Sequence, residues 1–309
     1  MITSLFRKST PLNYSIVILG GIFFFFVYQI KHVTGNNSIL HLLTKCGFLA
    51  IIFASLFLVN FVVKKNGMSK DSAYTVLFYL IFMLFFPSVF DNGRLLLANL
   101  FILLATRRIV SLYSLKASKE KIFDASIWVC IAALFHYWSL LFLVLIYIAI
   151  LFHVAKDYRN WFLPIIAFGA VAVIFVASAL YFNTDWIGHL QADSLIDLRL
   201  DYFTSRFQNL ALSVYATIAF FFTILLLISM SNRPLILHPT YKKILSMLMV
   251  GIAVFAISPN KSNDMLIYTF APLSMIITTH IETPQAQWKK EVVLAFLILS
   301  GIFAFFAQL

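Results

Sequence analysis

A chain of 309 residues that is 62% hydrophobic and only 11% charged, with a net charge of +11, has the composition of a polytopic membrane protein. No polar stretch is long enough for a soluble domain of even about 50 residues, so a single integral membrane domain over 1–309 is expected. The basic excess is sorted by position along the chain, which excludes nucleic acid as its explanation and makes it a marker of membrane side.

In chain order, Met1 to Asn13 is polar and basic, and no small-residue cleavage site follows it. It is expected to be retained rather than removed as a signal peptide. Apolar runs then predict helices over 13–30, 40–63, 72–90 and 94–112, each with roughly the 17–25 residues needed to cross a bilayer. The run 122–153 is too long for one upright helix and too short for two ordinary ones. Further helices are predicted over 161–181, 208–230, 243–258, 265–281 and 290–309.

The gaps between these runs are alternately rich and poor in Lys and Arg. Seventeen basic residues fall in one set of gaps, from Arg7 and Lys8 to Lys289 and Lys290; only Lys31, Lys45, Arg94, Arg199, Arg206 and Lys261 fall in the other. The 12 acids divide evenly, so one side carries the whole net charge of +11. The positive-inside rule places the rich gaps and the N-terminus in the cytoplasm, and the C-terminus in the periplasm, of a bacterial inner membrane. This alternation survives beyond residue 153 only if both ends of 122–153 lie on one side. The run is therefore read as a hairpin of short helices, 122–135 and 139–153, turning at His136-Tyr137-Trp138. Backbone that turns at membrane depth is tolerated where it is buried in protein or lines a wet cavity, and paired short helices point to binding sites. The fold class is thus an all-α polytopic helix bundle of about eleven helices.

The largest poor gap is 182–207. Ile196, Leu200, Phe203 and Phe207 recur at helical spacing and Ser194 with Asp197 resembles a capping pair, which predicts an amphipathic helix on the outer surface presenting Arg199 and Arg206. Arg94 opens a predicted helix after Phe90-Asp91-Asn92-Gly93. An ionisable group at membrane depth is a functional candidate by default, though an arginine near a helix end also snorkels to headgroups or pairs with a neighbour such as Asp91. His136 sits at the hairpin tip, where an imidazole can take a proton or donate to an anion, or simply join an interfacial aromatic belt. Lys261, in Pro259-Asn260-Lys261-Ser262-Asn263-Asp264, suits a phosphate contact but equally ordinary turn chemistry. Lys31, His32, His41 and Lys45 read as headgroup contacts. Cys46 and Cys130, both in apolar runs, read as packed small residues. The sequence contains no metal-ligand spacing, phosphate loop or nucleophile elbow, so no cofactor is expected.

Outward cations above an apolar body suit an anionic ligand with an apolar tail; a lipid-linked diphosphate sugar fits, as does an ordinary anionic membrane lipid. The stretch from Asp91 to Ile150 resembles the EpsG/Wzy-type polysaccharide polymerases: Asn92-Gly93-Arg94-Leu95-Leu96-Leu97-Ala98 opening a helix, a basic loop from Arg107 to Lys121, then Ala132-Ala133-Leu134-Phe135-His136 and an apolar run from Ser139. The resemblance implies outer-face chemistry on a polyprenyl-diphosphate-linked sugar, with Arg94 and His136 as the catalytic pair lining one outer cavity. Asp91, Arg199, Arg206 and Lys261 complete the expected substrate-binding set. The start Met-Ile-Thr-Ser-Leu-Phe-Arg-Lys and the turn Ser258-Pro259-Asn260-Lys261 also resemble a multi-pass membrane family of Bacteroidota, which implies no activity. The competing reading is a non-catalytic integral subunit packed against other membrane subunits in an export or envelope-assembly machine. A transporter ranks behind both, because the spans lack acidic residues for ion coupling.

The charge argument is checked by cysteine labelling in intact cells. Cysteines introduced at Ser118, Lys156 and Arg233 are expected to resist an impermeant outer reagent, and one at Asp193 to react. Reaction at Lys156 with protection at Asp193 would make 122–153 a single span.

Overall fold

The computed structural model describes residues 2–32, 39–182, 185–199, 205–284 and 286–309. Among them the regular structure is entirely helical, and the protein is an all-α polytopic membrane helix bundle. The helices are α1 (Ile2–Phe6), α2 (Pro11–Lys31), α3 (Ile39–Lys65), α4 (Tyr74–Phe85), α5 (Gly93–Val110), α6 (Ser118–Phe135), α7 (Leu143–His153), α8 (Arg159–Phe182), α9 (Trp186–Asp193), α10 (Arg206–Ser229), α11 (His238–Ile257), α12 (Ile267–Ile281) and α13 (Gln287–Gln308). Among the described residues, seven helical stretches, built on α2, α3, α5, α8, α10, α11 and α13, are long and apolar enough to cross a membrane.

Three expectations change. The run 72–90 is not one helix: α4 stops at Phe85, and a tight 3-10 turn over Pro87–Asp91 follows. Pro87 forces this, since its ring disfavours helical geometry at the preceding residue, and Phe86 accordingly sits at φ −136° and ψ 76°. The amphipathic helix expected near 194–207 is not formed over 195–199. A shorter helix, α9, precedes it instead, with the Asp185 carboxylate accepting from the Gly188 amide at 3.0 Å as its N-cap. Leu200 and Phe203 of that expectation lie outside the described residues. Cys46 is exposed on α3 rather than packed, whereas Cys130 is buried.

The chain forms two compact units: Met1–Leu96 with Phe203–Arg233 and Phe270–Leu309, and Leu97–Tyr202 with Pro234–Thr269. In the first, α4 is the axis. All twelve of its residues are buried, with α2, α3, α10 and α13 packed on it. A helix that is apolar all round belongs inside other helices. Lipid tails would solvate those side chains equally well, so what favours protein over lipid is close packing. The aromatic cluster supplies it: Phe82 lies edge-on to Tyr215 with centroids 5.4 Å apart, and Phe86 stacks on Phe270 at 6.0 Å.

In the second unit α6 lies along α8 and also touches α7. The break expected at 136–138 is present, and the ends of the hairpin meet: Lys119 Nζ lies 3.1 Å from Asp157 Oδ2. The Lys119 hydrogen bond, joined by the Arg159 amide, holds the Asp157 carboxyl below the usual carboxylate range. That ion pair is therefore present at neutral pH and is lost as the pH falls through the folded-state value. The hairpin's basic ends thus share one end of the unit, as the charge alternation requires. Lys243, counted in the sequence merely as a basic-side residue, is 1% exposed. Its Nζ donates to the carbonyls of Ile109 at 3.1 Å and Val110 at 3.2 Å, capping the C-terminus of α5 where the helix dipole is negative.

α11 and the start of α12 approach closely at Gly251. A Cβ built there falls 3.2 Å from the Tyr268 carbonyl carbon and oxygen and 3.0 Å from the Thr269 methyl. Backbone cannot rotate away as a side chain can. Gly251→Ala is therefore expected to destabilise the protein by about 1–3 kcal/mol, seen as a lower thermal midpoint of the purified chain. An unchanged midpoint would show that the helices separate freely.

Candidate functional site

His136 ends α6 in extended geometry, φ −146° and ψ 104°, yet the turn leaves its backbone satisfied. The His136 amide donates to the Ala132 carbonyl at 3.0 Å, and the His136 carbonyl accepts from the Ser139 amide at 2.9 Å. A 3-10 turn over Tyr137–Phe142 then leads into α7. This is how a chain can break within an apolar run without stranding polar groups.

Polar side chains gather around the break. The Ser139 and Tyr268 hydroxyls are 2.9 Å apart, and both residues are fully buried. The Tyr268 ring faces the imidazole with centroids 5.7 Å apart. His136 Nε2 is 3.4 Å from the buried Ser258 hydroxyl, which itself donates to the Val254 carbonyl at 2.6 Å. If the Ser258 proton is spent on Val254, its oxygen is left to accept from an Nε2–H. That tautomer leaves Nδ1 as a base. Nδ1 is buried and has no hydrogen-bond partner among the described residues. A buried polar atom without a partner is rare enough to require a reason, and a proton-transfer role is one.

The segment after α9 closes over this cluster. The Trp138 indole N–H donates to the Leu195 carbonyl at 3.3 Å, and the Asp197 amide donates to the Ile257 carbonyl at 3.1 Å. Lys261, 9% exposed, donates from Nζ to the Asp197 carbonyl. Lys261 is thus engaged in holding 195–197 to the turn between α11 and α12. Arg199 is exposed, and its amide donates to the Asp197 carboxylate at 2.9 Å as a local turn bond.

Arg94 lies in the first turn of α5 and is exposed; Arg206 is exposed at the start of α10. Both belong to the first compact unit, whereas His136, Arg199 and Lys261 belong to the second. Gly93 precedes Arg94 because Phe48 of α3 presses on it: a Cβ there would lie 2.3 Å from the ring. Asp91 is held from two sides, its Oδ1 accepting from Lys45 Nζ and Gln29 Nε2, each at 2.5 Å. Lys45 is therefore an ion-pair partner rather than a headgroup contact, because a lone cation and a lone carboxylate at this depth are each costly.

Ser139, Ser258 and Tyr268 are the polar groups that sequence reasoning did not assign to the site. A tyrosine inside the apolar run 265–281 was the available signal, since a buried phenol normally finds a partner. Among the described residues no three His, Cys, Asp or Glu side chains gather as a metal site would require. Comparisons with protein-family models, with curated proteins and with solved structures find no match to this chain.

The Asp91 pair gives a direct test. Side-chain exposures of 18% for Lys45 and 33% for Asp91 place it between a buried and a surface ion pair. Lys45→Ala is expected to cost about 1–3 kcal/mol, and adding Asp91→Asn is expected to recover part of the loss. Equal midpoints for wild type and Lys45→Ala would show that the pair contributes nothing.

Proposed function

We propose that this protein transfers glycosyl groups from a polyprenyl-diphosphate-linked sugar, in the manner of a polysaccharide polymerase or ligase, at the outer face of a bacterial inner membrane. The observation that supports a catalytic reading best is His136. Its Nδ1 is buried and unpartnered at a backbone break, beside the hydroxyls of Ser139, Ser258 and Tyr268. In the proposed step an acceptor sugar hydroxyl attacks the anomeric carbon of the donor. Its proton passes to His136, the bond from that carbon to the diphosphate oxygen breaks, and the electron pair leaves on the diphosphate. The resemblance gives Arg94 the role of neutralising the charge that develops on the diphosphate, for which a guanidinium fork is suited. Lys261 and Asp91 are assigned supporting roles, through the closing segment and through Lys45.

The orientation, N-terminus in the cytoplasm and C-terminus in the periplasm, rests on the sorting of basic residues and on the meeting of the hairpin ends at Lys119 and Asp157. The alternative is a non-catalytic subunit. It draws on the outward apolar face of α8, where Phe162, Ile165, Ile166, Val173 and Ile174 are exposed to lipid or to another chain.

Surface glycan, normalised to membrane protein, distinguishes the two. His136→Ala is expected to lower glycan assembly by about 100-fold or more at normal protein abundance. Arg94→Lys is expected to impair it although the charge is kept, because lysine cannot make a bidentate contact. Normal glycan in both variants would leave the subunit reading as the better account.

A further inference from the structure

In the first unit, α1, the loop before α4, the end of α12 and the start of α13 line a polar cavity of about 510 Å³. Its walls are tied by specific bonds. The Ala73 amide donates to the Phe6 carbonyl at 3.0 Å and the Ser9 amide to the Asp71 carbonyl at 2.9 Å, so the N-terminal segment is stitched to the loop. The Tyr74 hydroxyl donates to the Thr3 carbonyl at 2.6 Å.

The charges in this cavity fall into two classes. Both carboxylates are engaged by hydroxyls or amides. Glu282 accepts from the Ser69 and Ser72 hydroxyls, each at 2.5 Å, and from the Lys70 amide at 2.7 Å; Glu291 accepts from the Thr3 hydroxyl at 2.5 Å. Three cations, Arg7, Lys70 and Lys290, also line the space. Arg7 and Lys70 lie near enough for their charges to act against that of Lys290, while Glu282 acts in its favour. Three cations against two carboxylates leave the cavity with one positive charge in excess, which a bound anion would balance. With these hydroxyls spent on the carboxylates, the three cations lining the space are the groups left to bind an oxyanion.

We propose that this cavity binds a phosphate group through Arg7, Lys70 and Lys290. The fork of Arg7 and the two ammonium groups together match the several oxygens of a phosphate monoester or diester. The phosphate is carried by an anionic lipid headgroup or by a soluble molecule. The site stands on residues remote in sequence from His136 and does not depend on the glycosyl-transfer reading.

The test uses the full chain purified in neutral detergent. Retention of phosphatidylglycerol against phosphatidylcholine is counted by native mass spectrometry, and inorganic phosphate is titrated by calorimetry. The paired variant Arg7→Gln with Lys290→Gln is expected to weaken binding of the favoured probe at least tenfold. Lys289→Gln, which removes the same charge from an exposed neighbour outside the cavity, is expected to leave binding unchanged. Selective loss of phosphatidylglycerol assigns the site to a lipid headgroup, and selective loss of inorganic phosphate assigns it to a soluble ligand. If the paired variant melts early, Lys70→Gln alone carries the same comparison, with a loss of threefold or more expected. The proposal is overturned if neither probe binds, if the cavity variants bind normally, or if Lys289→Gln weakens binding as much as they do.

Discussion

A backbone break inside an apolar run must satisfy every polar group it exposes, and the second unit is organised around meeting that demand at His136. In hydrocarbon, each unpaired N–H or C=O costs several kcal/mol. The chain answers by keeping the His136 amide in the last turn of α6 and passing its carbonyl directly to Ser139. The Ser139 hydroxyl then meets Tyr268, and the segment 195–197 is fastened across the tip by Trp138, Lys261 and the Ile257 carbonyl. With the break closed in this way, two short helices return to a common end, where Lys119 meets Asp157. The imidazole is the member of this cluster whose second nitrogen is left over.

Charged side chains follow the same logic elsewhere. Lys243 and Lys261 are almost wholly buried, and each ammonium is spent on backbone carbonyls: the first at the end of α5, the second on Asp197. Lys45 is spent on Asp91. None of the three behaves as a mobile surface cation. A lysine in a membrane protein can therefore count toward the side on which it lies and still serve as a helix cap or a tether. The cavity lined by Arg7, Lys70 and Lys290 differs, because there the carboxylates are engaged with hydroxyls and a backbone amide and the cations outnumber them.

Much of the architecture was legible in the residues. Runs of apolar side chains long enough for a bilayer appear as α2, α3, α5, α8, α10, α11 and α13, because backbone hydrogen bonding in lipid leaves helix as the available form for such a run. The hairpin over 122–153 was readable from charge alone, since a single crossing there would have reversed every later gap. Less legible was the interruption of 72–90: Pro87 was visible, but an apolar run of full length outweighed it. The spacing of Ile196, Leu200, Phe203 and Phe207 suggested helix where 195–199 is instead tied to other elements by its own backbone groups.

By itself, then, the sequence determined the class of fold, the seven long apolar helices and the place where α6 must break. Each depends on local hydrophobicity or on counting along the chain. The partners of polar groups were decided only by tertiary structure: Lys45 with Asp91, Ser139 with Tyr268, His136 with Ser258, and Glu282 with the hydroxyls of Ser69 and Ser72. The physical reason is range. A span forms because its own residues avoid water, whereas a hydrogen bond or ion pair exists only when packing brings two groups distant in the chain to within about 3 Å.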